Sequence, residues 1–258
     1  MTSEGSGGRL FGFEEDERRA VPRRRSRVSE ARFIVFEGGE GAGKSLLAAK
    51  LVRRLERAGV HTIEVREPGG TAAGEAAREL LGQSLTPWGE AFAFLLARAE
   101  LVSRVIKPGL ERGATVLCDR FRASTVAYQG YGRGLDLRRL AEANASATQG
   151  LVPDLTIYLD VPPEIGLQRK YKSVQPSLTL PDVPPELVVQ ASRADIEGPA
   201  VGRERLAFHE RVREGYRQQL AQAPEGSWVE IDATQEPEAV EAAAWGAVAG
   251  LLGIPSGE

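Results

Sequence analysis

Two kinds of hydrophobic pattern alternate along the chain from about residue 32 onward. Short runs rich in β-branched and aromatic residues predict strands, and longer stretches with apolar residues at helical spacing predict helices. Because such alternation is typical of a parallel sheet covered on both faces, we expect an α/β fold with a five-stranded parallel sheet. The predicted strands lie at about 32–37, 61–66, 114–119, 155–160 and 228–232, and the predicted helices at 44–58, 72–82, 88–107, 136–149, 203–222 and 237–252.

The helix at 88–107 has recognisable start and stop signals. It is predicted to begin after Thr86 and Pro87, a capping residue followed by a favoured first residue, and to end before Pro108. Its apolar positions follow the helical period of an amphipathic stretch. These positions are Phe92, Leu95, Leu96, Ala99 and Val102.

Two segments do not follow the alternation. Residues 1–30 are polar, mixed in charge and poor in periodic apolar residues, so we predict a mostly disordered extension before a domain at 31–254. Residues 172–200 hold five prolines and are too long for an ordinary connection. This composition favours a lid or an insertion, which we place at about 169–205.

Composition and charge narrow the functional classes. The chain of 258 residues is 42% hydrophobic, enough for one full core, and its formal net charge of -3 argues against bulk nucleic-acid binding. No apolar run approaches the roughly 18 residues of a membrane span, and the N-terminus lacks the order of a signal peptide. The single cysteine, Cys118, fits a reducing cytoplasm and is expected to be a buried structural thiol.

The first predicted strand runs directly into a glycine-rich loop. Gly38, Gly43, Lys44 and Ser45 occupy the fixed positions of the pattern G-x-x-x-x-G-K-S/T, which binds nucleotide phosphates. Glycines allow the tight turn that points backbone N–H groups at phosphate oxygens, and the following helix presents its positive dipole end. Lys44 would reach the β- and γ-phosphates, and the Ser45 hydroxyl would bind Mg²⁺. The loop therefore predicts binding of ATP and Mg²⁺.

Other polar residues follow the predicted strands, at the edge where open α/β sheets bind ligands. Asp119 is placed to hold Mg²⁺, directly or through water, and Arg120 can bind a phosphate with two hydrogen bonds. Phe94 and Arg98 are four residues apart on one helix, so a ring and a guanidinium share a face where a base could stack.

At these motifs the chain resembles thymidylate kinases of the bacterial kind, which belong to the nucleoside monophosphate kinases within the P-loop NTPases. The similarity extends over roughly residues 32–250 and is strongest where the motifs following the second and third strands occur together. The matching segments are Glu37–Ser45, Arg66–Thr71, Phe94 with Arg98, Asp119–Gly134, Pro153–Asp160 and Ile231–Thr234.

The resemblance implies phosphorylation of dTMP to dTDP by ATP, with Mg²⁺, in the cytoplasm and in a homodimer. The residues implied in catalysis are Lys44, Arg120, Glu40 and Asp119. Those implied in ATP binding are Gly38, Gly39, Glu40, Gly41, Ala42, Gly43, Lys44, Ser45, Asp232 and Ala233, and the metal ligands are Ser45 and Asp119. Those implied in dTMP binding are Glu67, Phe94, Arg98, Arg120, Ser124, Tyr128 and Gln129.

Four of these residues receive specific tasks from the resemblance. Phe94 would stack on thymine, Arg98 would contact the base or the acceptor phosphate, and Arg120 would hold the acceptor phosphate. Glu40 corresponds to the acid placed near the sugar and the reacting phosphate.

The predicted lid departs from the family pattern. Gly41 occupies the loop position where some related kinases carry an arginine, so the additional catalytic arginine is expected in the lid. The usual acidic-basic signature before the following helix is missing. The lid candidates are Arg169, Arg193, Arg203 and Arg205.

Two other functions stay open on sequence alone. The chain could be a kinase of a related nucleoside monophosphate, because the pocket residues are inferred from the resemblance. It could also be a nucleotide-binding module whose lid has lost its catalytic residues, although Lys44, Ser45, Asp119 and Arg120 are all intact.

Overall fold

The computed structural model describes the backbone of residues 31–174 and 199–255, and the side chains of these residues except 171–174 and 199–204. The predicted disorder of residues 1–30 falls outside these ranges, as does most of the lid predicted at 169–205. No helix within the described ranges is both long and apolar enough to cross a membrane.

Five parallel strands form one sheet. They are β1 (Phe33–Gly38), β2 (Thr62–Arg66), β3 (Thr115–Asp119), β4 (Leu155–Asp160) and β5 (Trp228–Asp232). Their order in the sheet is β2-β3-β1-β4-β5, so the strand that leads into the glycine-rich loop is central. Strands β1, β3 and β4 are buried along their whole length, which explains their largely apolar sequences. The predicted five-stranded parallel α/β fold is confirmed.

Helices cover both faces of the sheet. They are α1 (Lys44–Arg57), α2 (Ala72–Leu81), α3 (Pro87–Leu101), α4 (Lys107–Glu111), α5 (Arg122–Thr125), α6 (Leu137–Thr148), α7 (Pro163–Val174), α8 (Pro199–Ala221) and α9 (Pro237–Leu252). Ile34 and Phe36 of β1 pack with α1 and α9, whereas Phe33 and Val35 pack in a separate cluster with α3. Alternate residues of one strand thus belong to the cores of opposite faces.

The helix predicted at 88–107 begins as expected but does not end as expected. Thr86 Oγ1 accepts a hydrogen bond from Gly89 N at 3.2 Å, and Pro87 is the first residue of α3. The backbone then continues through a π-helical segment (Val102–Ile106) into α4, which contains Pro108. The prediction of a stop before Pro108 is wrong, because the wider π turn alters the hydrogen bonding just before a residue that has no N–H to donate.

The buried side of α3 also differs from the predicted apolar positions. Leu95 is buried as expected, but Phe92 is 60% exposed and Leu96 is 48% exposed. Ala93 and Ala97 are buried instead, in a cluster where α3 packs against α2. Val102 is also buried as expected. Alanines allow two helices to approach closely but carry little apolar signal, so Phe92 and Leu96 were assigned to the wrong face.

Several elements next to the candidate site were missed. Sequence analysis identified neither α5 nor α7, nor a second π-helical segment (Val126–Gly132) that continues α5. Helix α8 begins at Pro199 rather than at 203. The second π-helical segment matters for the site, because it carries Tyr128 and Gln129.

Candidate active site

The loop between β1 and α1 has the form of a phosphate cradle. Gly43 has a positive φ of 88°, which residues with a Cβ atom rarely adopt. The Lys44 ammonium donates hydrogen bonds to the carbonyl oxygens of Gly38 at 3.1 Å and Gly39 at 2.7 Å. Burial of this side chain, together with the nearby Arg120 charge, lowers the Lys44 pKa to about 7. The loop therefore holds a poorly solvated cation at the position where phosphate binding is predicted.

The Ser45 hydroxyl and the Asp119 carboxylate meet where α1 begins and β3 ends. Ser45 Oγ donates a hydrogen bond to Asp119 Oδ2. Asp119 Oδ1 is buried and accepts no hydrogen bond from any residue that the structure describes. Because Mg²⁺ binds through oxygen atoms and often uses only one or two protein groups, this unpartnered oxygen beside a hydroxyl fits the ion. The two residues predicted to hold Mg²⁺ are thus brought together.

Arg120 connects the loop with residues predicted to bind the acceptor. Its guanidinium donates hydrogen bonds to Gly38 O at 3.2 Å and to Glu40 Oε1 at 3.0 Å in the loop. It also donates to Ser124 Oγ at 3.2 Å and to Tyr128 OH at 3.1 Å. The Arg120 backbone has a φ of 70°, an uncommon value for a residue with a side chain, directly after β3. One side chain therefore spans both predicted subsites.

Glu40 lies between two cations. Besides Arg120, its carboxylate accepts a hydrogen bond from Lys170 Nζ of α7 at 2.7 Å. Burial opposes the charge of Glu40, but Arg120 and Lys170 outweigh it and hold the Glu40 pKa well below its ordinary value. The carboxylate is therefore ionised and links the loop to the start of the predicted lid.

Glu37, the last carboxylate before the loop, organises the residues around Arg120. It is fully buried, and it accepts hydrogen bonds from Phe121 N at 2.9 Å and Ser124 N at 3.1 Å. Its other oxygen accepts from Ser124 Oγ at 2.6 Å and Tyr216 OH at 2.9 Å. Burial raises the Glu37 pKa, although these hydrogen bonds oppose the shift. Sequence analysis assigned no role to Glu37 or Tyr216. A charged residue inside an apolar strand was the available signal for Glu37, and none was available for Tyr216.

Arg98 and Glu67 form an ion pair in the interior. Their side chains are 1% and 2% exposed, and Arg98 Nη2 lies 2.5 Å from Glu67 Oε2. Arg98 Nε also donates to Glu67 Oε2, at 2.9 Å. The three remaining Arg98 N–H groups donate to Thr125 Oγ1 at 2.8 Å, Asn144 Oδ1 at 2.6 Å and Phe121 O at 3.0 Å. Every N–H group of Arg98 is therefore used within the protein. The expectation that Arg98 contacts the nucleotide stays a prediction, and in this structure it fastens Glu67 to α5 and α6.

Gln129 is buried, and only the nitrogen of its side-chain amide has a hydrogen-bond partner among the described residues. Its Nε2 donates a hydrogen bond to Glu90 Oε1 at 2.7 Å, and Glu90 Oε2 accepts another from Arg133 at 2.9 Å. Gln129 Oε1 is buried and accepts no hydrogen bond from the described part of the chain. Phe94, which is half-buried, lies one helical turn after Glu90 on α3. Sequence analysis did not single out Glu90, because its contact with Gln129 joins residues 39 positions apart.

A cavity of about 320 Å³ lies between the loop and the connection from β5 to α9. Ala42 lines one side, and Ala233 and Thr234 line the other. Arg169 Nη1 donates a hydrogen bond to Ala233 O at 2.6 Å, and Asp232 Oδ1 accepts one from Thr234 N at 2.8 Å. The cavity has a size suited to a planar base, and Asp232 contacts it only indirectly, through Thr234.

The structure describes the side chains of only two of the four lid candidates. Arg169 lies at the cavity beside Ala233, and Arg205 lies on α8 close enough to His209 to influence its charge. Arg193 is outside the described residues, and the Arg203 side chain is not among those described.

Gly41 cannot be replaced by a larger residue without moving α7. A Cβ atom at Gly41 would lie 1.9 Å from Gly166 O, and a Cβ atom at Gly166 would lie 2.2 Å from Glu40 O. Backbone therefore packs directly on backbone at this point. The contact explains why the loop has no arginine of its own.

Comparisons with known proteins agree with this geometry. The sequence model of the family described as thymidylate kinase matches residues 36–180. A thymidylate kinase of Thermomicrobium roseum is 46% identical over 222 residues, which cover 85% of this chain and 95% of that protein. The chain belongs to the thymidylate kinase family. Thymidylate kinases are phosphotransferases that use ATP to convert dTMP to dTDP.

Further members of the thymidylate kinase family are similar over most of their length. The thymidylate kinase of Solidesulfovibrio magneticus is 43% identical over 224 residues, which cover 85% of this chain and 100% of that protein. The crystal structure of thymidylate kinase from Ehrlichia chaffeensis matches with a TM-score of 0.62 and 27% identity, covering 84% of this chain and 98% of that one. The expected P-loop NTPase fold is confirmed.

Proposed function

We propose that this chain transfers the γ-phosphoryl group of ATP to dTMP by direct in-line attack, giving ADP and dTDP. An oxygen of the acceptor phosphate forms the new bond to phosphorus as the bond to the bridging oxygen of ATP breaks. The observation that carries the proposal lies at the end of β3. There Asp119 contacts the loop at Ser45, while Arg120 contacts both the loop and Tyr128. Adjacent residues thus serve the donor and the acceptor.

The donor side follows the cavity and the glycine-rich loop. Backbone N–H groups of the loop and the Lys44 ammonium bind the phosphates of ATP, and adenine occupies the cavity lined by Ala233 and Thr234. Asp232 acts there through its hydrogen bond with Thr234 N. Bound to Ser45 and Asp119, Mg²⁺ would neutralise charge on the β- and γ-phosphates. The unpartnered Asp119 oxygen supports this assignment.

The acceptor side is built from α3 and the segment that follows β3. Phe94 stacks on thymine, and the unpartnered Gln129 Oε1 accepts a hydrogen bond from the base. Arg120 binds the acceptor phosphate, with Ser124 and Tyr128 lining the pocket beside it. Glu67 and Arg98 support this pocket from the interior.

Catalysis then consists of positioning and charge neutralisation. Two highly negative groups must approach in line, and Lys44 and Arg120 supply fixed positive charge between them. Glu40 keeps the Arg120 guanidinium in place through the hydrogen bond at 3.0 Å. Arg169 contacts Ala233 at the base cavity, which favours a role at adenine. The additional lid arginine is then one of Arg193, Arg203 and Arg205.

The proposal is tested by a coupled assay of ADP release with dTMP, dUMP, dCMP, CMP and UMP as acceptors. We expect the highest kcat/KM with dTMP. A higher kcat/KM with another monophosphate would show that this monophosphate, and not dTMP, is the preferred substrate. Tight binding of ATP without turnover of any acceptor would instead support a binding module whose lid is inactive.

We also propose that the chain works as a homodimer in the cytoplasm. Trp88, Phe92 and Leu96 recur every four residues on α3, and the last two are 60% and 48% exposed. The rings of Trp88 and Phe92 are 5.5 Å apart, so they form a continuous apolar surface suited to a second copy. Sedimentation should show a dimer that Phe92→Glu converts to a monomer.

The free, buried thiol of Cys118 supports a reducing compartment, which cell fractionation would check.

A further inference from the structure

The carboxamide of Gln129 is held in one orientation by a group that can only accept hydrogen bonds. Its Nε2 donates to Glu90 Oε1 at 2.7 Å, and a carboxylate offers no proton in return. If the amide turned over, its oxygen would face the carboxylate oxygen, and two acceptors would be in contact. Arg133 donates to the other Glu90 oxygen at 2.9 Å and so restricts the carboxylate in turn.

This fixed orientation determines what the other end of the amide requires. Gln129 Oε1 is buried without a donor from the described part of the chain, which is an unfavourable state for an acceptor. A ligand that brings an N–H group removes that penalty. A ligand that brings another acceptor to the same place increases it.

The neighbouring residues connect this oxygen with the base of the acceptor. Glu90 and Phe94 are one helical turn apart on α3, and residues with this spacing share a face. Helix α3 contacts the π-helical segment Val126–Gly132 that carries Gln129. The ring proposed to stack on the base and the fixed amide therefore belong to one pair of packed elements.

We propose that Glu90 is a specificity-determining positioning residue, which selects pyrimidines with a protonated N3 by fixing the hydrogen-bonding polarity of Gln129. Thymine and uracil present an N3–H donor to Gln129 Oε1. Cytosine presents an unprotonated N3, which is an acceptor, and is rejected. This inference rests on the proposed function, because it concerns the base of the same acceptor.

The test compares kcat/KM for dTMP and dCMP in the wild-type protein and in Glu90→Gln. The new amide can donate to Gln129 Oε1, so the Gln129 side chain can turn and offer its NH₂ group to cytosine. We expect the dTMP/dCMP ratio of kcat/KM to fall by about 10-fold or more, on the scale of one hydrogen bond left unpaired. The change should be mainly in KM, with dUMP following dTMP because both have N3–H.

Three further measurements separate positioning from stability. Glu142→Gln, which alters an exposed glutamate paired with Arg138, should leave the ratio at the wild-type value. Arg133→Gln keeps the acceptor for Gln129 Nε2 and should also preserve most of the discrimination. If Glu90→Gln does not fold, Glu90→Asp is used, since the shorter carboxylate withdraws from Nε2 and should lower the ratio too.

The outcomes distinguish this inference from the proposed function. Equal losses with dTMP and dCMP in a folded Glu90 variant would show a purely structural role and overturn the inference, without affecting the proposed function of the wild-type protein. A wild-type protein that does not discriminate between the two substrates would overturn it as well. Failure of the wild-type protein to phosphorylate any monophosphate would refute the proposed function itself.

Discussion

The ion pair between Glu67 and Arg98 should be one of the most sensitive points for stability in the described fold. Both side chains are almost completely buried, at 2% and 1% exposure. The variant Glu67→Gln keeps the shape of the side chain but removes its charge. The Arg98 cation then remains in the interior among neutral acceptors only, which are the amide oxygen at position 67 and the oxygens of Phe121, Thr125 and Asn144.

The size of the effect follows from the desolvation of a buried charge. Removing one partner of a buried pair costs about 3–5 kcal/mol, because the remaining ion is left uncompensated. For a domain of this size, each kcal/mol lowers Tm by roughly 2–4 °C, so we expect a decrease of roughly 6–20 °C. In Glu67→Gln/Arg98→Met neither charge remains, and the double variant should be less destabilised than Glu67→Gln alone.

The free energy of unfolding is measured by urea denaturation, followed by tryptophan fluorescence and extrapolated to water. The matched control is Glu142→Gln, because its pair with Arg138 is 65% and 88% exposed. That control should change the free energy of unfolding by less than about 1 kcal/mol. A loss below about 1 kcal/mol in Glu67→Gln, or a double variant no more stable than it, would refute the reasoning.

Three further predictions concern the phosphate site. At pH 8 the buried Lys44, whose pKa is about 7, is mostly neutral in the free protein, and the negative phosphates of ATP should raise that pKa. ATP binding should therefore be accompanied by proton uptake at pH 8 and by hardly any at pH 6. Calorimetry in buffers of different ionisation enthalpy measures this uptake. Binding heats that do not depend on the buffer at pH 8 would contradict the prediction. Gly166→Ala should raise the KM for ATP about 10-fold or more, because its Cβ atom would meet Glu40 O at 2.2 Å. Gly246→Ala, which has open space around it, serves as the control, and equal KM values in the two variants would oppose the steric argument. Arg120→Ala should lower kcat/KM for dTMP on the order of 100-fold in the coupled assay, and activity within twofold of wild type would exclude its role.

The sheet was predictable because its signal is local. The interior strands are buried on both faces and are therefore largely apolar, and the five strands lie within one residue of the predicted limits. The helix through Pro108 was not predictable in the same way. A π-helical segment at Val102–Ile106 depends on how the helix packs, and the helix propensities of those residues do not predict it.

The same distinction applies to the candidate site. Gly38, Lys44 and Ser45 carry a pattern that one stretch of sequence contains in full. The partners that hold the site together are distant: Glu37 and Tyr216 are 179 positions apart, and their hydrogen bond exists only in the folded chain. Such contacts leave no periodicity and no motif, so sequence reasoning named candidate groups for the site and missed the residues that hold them in position.

The backbone contact between Gly41 and Gly166 means that the loop and α7 cannot be re-engineered separately. A side chain at Gly41 would overlap the carbonyl oxygen of Gly166, and a side chain at Gly166 would overlap that of Glu40. Because α7 leads into the segment predicted to form the lid, a loop taken from a kinase that carries an arginine here would require that kinase's lid entrance as well. The phosphate loop and the root of the lid form one exchangeable part, and chimeric enzymes should be cut outside both.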